Sequence, residues 1–412
     1  MIKILYIGGV GPFGGASRSL YEAVAAFPPG AVEAYFIMPR GTALDFYRRV
    51  AADVIAARGI SRFDHTFRTY YRGLRWLVVL RELAHLPPTL LALWRAKRRW
   101  KSFDLIHVNE FMEIIPGLIA KALFGSPLIV HSRALMRTDP GQRRTQWLHR
   151  RLRESADAVI AIDENVRATL PRDLAVEVIH NGFNSAPSET PDQAYLARLD
   201  GLRSSSLKIG FVGNLLRSKG LTELLEAAKI LKAAGEDVQF LIVGGKTATH
   251  KGLFRWLLNK AGFAQNMAAE LEQMVAEAGL SEDFLLLGAT PDIQRVYRHM
   301  DVLAFPTRLD APGRPVLEAA FYSVPSIVAV RTPRPDTLVD GETGIAIPEP
   351  DPARLADAIL HFARAREEVR RMGENARALA ERNFRPEVNA ELLLDLYRRV
   401  LARTSPRPGS LS

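Results

Sequence analysis

The chain contains no cysteine, which excludes disulfides, thiolate nucleophiles and zinc-thiolate centres. Long hydrophobic runs are also missing: stretches such as Leu77 to Leu80 fall far short of the ~18 residues that a membrane-spanning helix needs. No low-complexity tract interrupts the chain. Lys3 and Ile4 already belong to the first apolar stretch, so no signal peptide is expected ahead of it. A cytoplasmic location is expected, or a peripheral one on the inner face of a membrane.

What is present is ordinary globular composition over 412 residues, 48% apolar and 24% charged. At roughly 150 residues per domain, two or three domains are expected. The charge is uneven. Residues 1–185 hold 26 Lys and Arg against 16 Asp and Glu, and the rest holds 29 of each, so the whole net charge of +10 lies in the first part.

Apolar runs at Lys3–Ile7, Val32–Met38, Leu105–Val108, Leu128–Val130, Ala158–Ile162 and Val176–Ile179 read as strands, with helical pattern between most of them. Strands separated by helices predict a parallel sheet of βαβ units. Residues 186–206, rich in Ser, Pro, Asp and Gly, read as a linker. The same grammar then restarts with strands at Leu207–Val212, Val238–Val243, Phe284–Leu287, Val302–Phe305, Ser326–Val330 and Ile345–Ile347, and a helix at Leu221–Leu231. The expectation is an α/β protein of two Rossmann-like domains, 1–185 and 207–385, with parallel sheets facing an interdomain cleft. A final helix over 386–403 is expected to pack back on the first domain, with a disordered tail over 404–412.

Gly9, Gly11 and Gly14 spell G-x-G-x-x-G between a predicted strand and a predicted helix, the placement of a dinucleotide fingerprint. The second strand, however, ends Phe36-Ile-Met-Pro-Arg40 with no carboxylate for a ribose, although Arg40 suits a 2′-phosphate. Pro12 removes one amide donor from the loop. Glycines required by a tight turn explain the pattern equally well, and a nicotinamide cofactor is not expected.

The second domain carries more specific wording. In Phe211-Val-Gly-Asn-Leu-Leu-Arg-Ser-Lys-Gly220, a glycine turn delivers Arg217 and Lys219 to the start of a helix. In Asp310-Ala-Pro-Gly-Arg-Pro-Val-Leu-Glu318, two carboxylates flank a predicted helix start with Pro315 as its first residue. Unpaired N–H groups and the positive dipole end at a helix start favour phosphate. LVDGETGIAIPEPDP follows. In order and spacing these motifs resemble the retaining glycosyltransferases of family 4 (group 1), which have the GT-B fold and use nucleotide-sugar donors. The likeness runs from Gly8 to Leu401 and is strongest over Phe211 to Pro352.

The resemblance implies that Lys219 binds the donor diphosphate, that Asp310 reaches donor-sugar hydroxyls and that Glu318 holds the ribose; these three are the expected catalytic set. Asp310 stands where the family usually has Glu, and Asn214 where it usually has Arg, a place Arg217 is expected to fill. Gly213, Gly313, Arg314, Pro315 and Val316 complete the implied donor loops, with Gly288–Asp292 and Pro306-Thr307 near the base and Asp336 on a family carboxylate position. In the first domain, Gly14-Gly15 matches the family's Gly-Gly pair and is expected to approach the donor phosphates or acceptor hydroxyl. Arg133 takes the family's histidine position, with His131 two residues earlier on the same strand face. Arg18, Glu110, His131 and Arg133 are the acceptor-side candidates, whereas His107 reads as a core histidine. Transfer with retention needs no protein nucleophile, and this class requires no metal, so neither metal nor cofactor is expected.

Residues 66–101 carry nine Lys and Arg against one acid, interleaved with Trp76, Trp94 and Trp100, and residues 133–153 add seven arginines against Asp139. Basic segments with tryptophan suit an anionic membrane surface, as a lipid-linked acceptor would require; core helices with solvated basic faces are the alternative. No recognition motif accompanies the charge, so nucleic acid is not an expected partner. The stretch 246–266 has four basic residues and no acid around Leu253, Phe254 and Trp256, and reads as an amphipathic or plain surface insertion. The expected function is transfer of a sugar from a UDP- or GDP-sugar to a glycan or lipid-linked glycan in surface polysaccharide or glycolipid synthesis. Another two-Rossmann nucleotide-sugar enzyme such as an epimerase, or a noncatalytic nucleotide-sugar-binding protein, remains open at this point.

Overall fold

The computed structural model describes residues 1–66, 76–185, 193–245, 267–290 and 292–404. The 246–266 insertion, residues 186–192 of the linker, Pro291 and the tail after Thr404 lie outside the described residues. The chain divides into two units, Met1–Asn184 with Phe384–Ser412, and Ser185–Asn383.

In the first unit the strands are β1 (Ile2–Ile7), β2 (Val32–Pro39), β3 (Asp53–Ala57), β4 (Leu105–Val108), β5 (Leu128–Ser132), β6 (Ala158–Ala161) and β7 (Val176–Val178). They are parallel in the order β3-β2-β1-β4-β5-β6-β7. Strands covered on both faces read as unbroken apolar runs, and β1 does: Leu5 and Ile7 enter one core while Ile4 and Tyr6 enter the other.

β3 was not expected from the sequence. It is an edge strand with an acid and two alanines in five residues, so it lacks the apolar density that marks its neighbours. Asp53 is held by Trp100 Nε1 and Arg99 Nε, each at 2.8 Å. The segment 77–100 also differs from expectation. The helices Leu77–Ala84 and Leu86–Trp100 join at helical His85, and these 24 residues are long and apolar enough to pass for a membrane span, an 18-residue stretch of them having mean hydropathy 1.3.

The helix Pro386–Thr404 belongs to the first unit. Its Leu393, Leu394, Leu396, Tyr397 and Val400 share a core with Tyr6 and Phe36. The Tyr397 hydroxyl meets His107 Nδ1 at 2.7 Å and the Tyr6 hydroxyl at 3.3 Å. His107 is fully buried, and burial followed by the Arg133 charge pushes its pKa down to about 3.

The second unit repeats the plan with β8 (Leu207–Val212), β9 (Val238–Val243), β10 (Phe284–Gly288), β11 (Val302–Phe305), β12 (Ser326–Ala329) and β13 (Gly344–Ile347). All pairs are parallel, in the order β10-β9-β8-β11-β12-β13. The expected aperiodic linker instead contains the helix Gln193–Leu199, because Tyr195 and Leu199 stand four apart and bury together in this unit's core.

Strand order reverses between β1 and β4 in one unit and between β8 and β11 in the other. Ligands of open parallel sheets bind at such switch points, beyond the carboxyl ends of the strands.

The loop after β1 explains the opening glycines. A Cβ on Gly11 would stand 2.3 Å from the Arg40 carbonyl oxygen, and one on Gly41 would stand 2.2 Å from that of Gly11. Close packing of the β1 and β2 loops therefore demands glycine whether or not a dinucleotide is bound. Gly14, before the helix Gly15–Ala25, faces open space. We expect Gly11→Ala to cost about 1–3 kcal/mol of stability as an overpacked site, and Gly14→Ala to stay within about 0.5 kcal/mol. Denaturant unfolding measures both, and equal costs would contradict the packing explanation.

Candidate functional site

In the second unit the loops after β8 and β11 flank the switch point. The β8 loop runs through Gly213 and exposed Asn214 into a single 3-10 turn, Arg217–Lys219, and ends at Gly220 with φ +76°. A Cβ there would stand 1.8 Å from the Pro306 carbonyl oxygen, so the two loops touch backbone to backbone. Arg308 N donates to Ser218 O at 3.0 Å and adds a second tie. Lys219 Nζ lies 4.9 Å from the centroid of the Phe305 ring, the last residue of β11. The same ring fills the place a Gly313 side chain would take.

Arg217 does not follow Lys219. Its guanidinium pairs with Glu270 at 2.8 Å, on the helix Met267–Glu277, so the structure gives no support to its filling the place of the family's arginine.

Gly313 caps the helix Arg314–Ala320, in which Arg314 rather than Pro315 is the first residue. Val316 is a core residue whose amide is taken by Gly313 O at 2.9 Å. Glu318 is buried one turn further in, beyond the first turn, where the helix dipole would favour an acid. Its Oε1 accepts from Arg314 Nε at 2.5 Å and its Oε2 from the Tyr297 hydroxyl at 2.8 Å. Asp310 accepts from the backbone N and Nε of Arg331, at 2.8 and 2.9 Å, just past β12. Around the base-side loops, Gly288 takes φ +76°, Thr307 is buried and Asp292 pairs with Arg295 at 2.6 Å; Asp336 O accepts from Asn383 Nδ2 at 2.9 Å.

In the first unit, Arg133 ties together the carboxyl ends of several strands. It donates from Nε to Asn109 Oδ1 at 2.8 Å, from Nη1 to Asn181 Oδ1 and from Nη2 to His131 Nδ1 at 3.2 Å. The acceptor role of Nδ1 leaves the His131 proton on Nε2, which is buried and has no partner among the described residues. Burial and the Arg133 charge hold His131 well below its usual pKa, hence neutral.

Glu110, beyond β4, accepts from Phe111 N at 2.9 Å and from Arg133 N at 3.1–3.2 Å. Its carboxyl is therefore a clasp between strand ends. Arg18 pairs with Glu22 at 3.0 Å and lies 5.6 Å from the Phe183 ring. Gly14 and Gly15 both have open space where a side chain would be. Asn109 Nδ2 donates to Ala16 O at 3.2 Å, joining the Arg133 cluster to the helix beside those glycines.

Residues 200–379 match the glycosyl transferases group 1 family and residues 13–186 match glycosyltransferase family 4. The chain is a family 4 glycosyltransferase. Among its relatives is the lipopolysaccharide core biosynthesis mannosyltransferase LpcC of Rhizobium leguminosarum, 28% identical over 76% of this chain and 82% of that protein. The capsular polysaccharide biosynthesis glycosyltransferase CapM of Staphylococcus aureus is 24% identical over 59% of this chain and 61% of its own. HepE of Anabaena, solved with UDP and with UDP-glucose, superposes at TM-score 0.71 over 97% of this chain and 100% of its own, at 19% identity. The glycosyltransferase thus has the GT-B fold, and the family match sets aside the epimerase and nicotinamide readings.

Several side chains at the glycosyltransferase's candidate sites went unnoticed in the sequence. Arg331 and Tyr297 lie 21 residues from the acids they hold, so no local motif marks them. Glu113 shared a three-residue spacing with Glu110 that was visible and not used. Burial, then the Glu113 charge, pushes Glu110 up to about 8; burial pushes Glu113 up to about 7 against the opposing pull of Arg62, 3.3 Å away. The folded enzyme keeps these protons where an unfolded chain, titrating near 4.5, has lost them. Their contribution to stability is thus complete below the unfolded value and lost as pH rises through the folded ones. We expect Glu110→Gln to lose less Tm than the wild type as pH rises from about 4.5 to about 8, the interval between the unfolded and folded values. An identical slope in the variant would contradict the assignment.

Proposed function

We propose that this glycosyltransferase moves a sugar with retention from a UDP- or GDP-sugar to a hydroxyl of a glycan or lipid-linked glycan in surface polysaccharide or glycolipid synthesis. One observation carries the reading: Lys219 and the Asp310–Glu318 loop stand on the two loops that flank the β8/β11 switch point, tied together at Gly220 and Pro306. The names of LpcC and CapM support a surface-glycan product, and the HepE complexes support a UDP-linked donor.

In this reading the bond from the anomeric carbon to the diphosphate oxygen breaks and the acceptor oxygen bonds to the same carbon from the same face. The acceptor's proton passes to the departing phosphate oxygen. A unit positive charge about 4 Å from the growing phosphate charge is worth on the order of 4 kcal/mol at an effective dielectric of 20; Lys219 is placed to supply it. Glu318 holds the ribose and Asp310 the sugar, each oriented by an arginine, Arg314 and Arg331. The basic first half supports a cytoplasmic enzyme peripheral on the inner membrane face, where a lipid-linked acceptor is presented.

The test is transfer from a defined nucleotide sugar, with the product's anomeric configuration read by proton NMR. Retention supports the reading, and inversion contradicts it. Glu318→Gln, which keeps an acceptor for Tyr297, is expected to lower kcat/KM at least about 100-fold, near the loss of one charged hydrogen bond, with Tm little changed; near-normal turnover would sink its role. Lys219→Ala should weaken binding of a nucleoside diphosphate by about tenfold or more while leaving the nucleoside almost unaffected. Equal losses on both ligands, measured by calorimetry, would argue against a phosphate contact.

A further inference from the structure

Among the described residues ten large apolar side chains are exposed, and seven of them lie between Trp76 and Trp94. Trp76, Leu77, Leu80, Leu83, Leu90, Leu91 and Trp94 are each 46–60% exposed. Trp76, Leu80, Leu83, Leu90 and Trp94, spaced by three, four or seven residues, fall along one stripe of a helix, flanked by Leu77 and Leu91, which here runs through the His85 join.

The usual amphipathic order is only partly kept in this element. Its inward face holds polar or small side chains at Glu82, Thr89, Ala92 and Ala96 beside the buried Leu93 and Trp100, while seven other leucines and tryptophans point outward. Polar anchors fix that orientation. Glu82 accepts from Arg144 Nη2 at 2.8 Å and from Asp64 N at 2.6 Å. Thr89 Oγ1 accepts from Ser61 N at 2.8 Å, and Ser61 Oγ donates to Glu82 O at 2.9 Å. Rolling the stripe inward would break all four bonds, so the apolar face is a built surface.

The last two turns add exposed Arg95, Lys97 and Arg98, with the Arg98 guanidinium 4.8 Å from the Trp94 ring. Basic groups beside exposed tryptophan and leucine match the headgroup and acyl layers of a membrane carrying negative lipids. Trp100 is buried in the core, and several arginines of residues 133–153 are engaged within the unit, Arg144 with Glu82 and Arg153 with Asp173 at 2.7 Å. The surface is therefore narrower than the basic segments of the sequence.

We propose that the outward stripe from Trp76 to Trp94 inserts flat into the interface of an anionic bilayer, with Arg95, Lys97 and Arg98 on the headgroups. Although long enough to span, the element lies on the membrane, because spanning would strip Glu82 and Thr89 of their partners. This deepens the peripheral-membrane reading and rests on it.

The experiment is sedimentation of the full chain with vesicles of phosphatidylglycerol and phosphatidylcholine in equal parts, and with phosphatidylcholine alone. Wild type should bind the mixed vesicles more tightly, by about tenfold or more for three basic side chains near the surface. The quadruple variant Leu80→Ser, Leu83→Ser, Leu90→Ser, Trp94→Ser should lose binding at least about tenfold. An unchanged thermal shift with nucleoside diphosphate would show that the variant is folded. Wild-type tryptophan fluorescence should be quenched by brominated lipid, and less so in Trp94→Phe. Binding by wild type and quadruple variant alike would overturn the stripe and leave the peripheral reading standing. No binding by wild type would overturn both, and concentration-dependent dimerisation abolished by the quadruple variant, without vesicle binding, would assign the stripe to a second copy of the chain.

Discussion

Gly220 lies against the Pro306 carbonyl so closely that no other residue fits without moving one of two loops. That contact, with the Arg308 N–Ser218 O bond beside it, fixes the relation between the turn carrying Lys219 and the segment carrying Asp310, Gly313 and Glu318. Phe305 is the shared floor, with Lys219 over its ring and Gly313 against its edge. β8 and β11 are the neighbours at which strand order reverses, the place where ligands of open parallel sheets bind. A sheet that continued in one direction would place a crossover helix there instead.

The first unit reaches a comparable result by a different route. Here a half-buried arginine is the organiser, and Arg133 joins Asn109 after β4, His131 at the end of β5 and Asn181 after β7. Burial, and after it the Arg133 charge, keeps His131 and His107 neutral, and that charge offsets part of the cost of burying Glu110. Arginine at position 133 thereby sets the electrostatics of the whole strand-end cluster. His131 is left beside Arg133 as a neutral ring with a buried N–H.

Much of this was legible in the sequence wherever burial is continuous. The strands covered on both faces, such as Leu105–Val108 and Val238–Val243, announce themselves as apolar runs, and the glycine and acid spacing of 211–220 and 310–318 marks the second site. What escaped was set by distant partners or by averages. Edge strand β3 gains its place from pairing with β2 and from Trp100 and Arg99. The helix Gln193–Leu199 was hidden in polar surroundings, because its buried anchors are Tyr195 and Leu199, with Leu196 partly buried beside them. Arg331 and Tyr297 act on carboxylates 21 residues away, and the apolar stripe of 76–94 was masked by Arg81 and Glu82, one of which faces inward.

The central claim is that the second unit holds a nucleoside diphosphate at the β8/β11 switch point. It is tested most directly by thermal shift of the full chain with UDP, GDP, ADP and NADP(H) in parallel. A ligand at 100 times its dissociation constant stabilises by about 2.7 kcal/mol, a shift of several degrees. The account expects such a shift with UDP or GDP and none with NADP(H). A shift with NADP(H) alone would mean that the glycines at 9–14 form the nucleotide site and that the reading of the second unit is wrong.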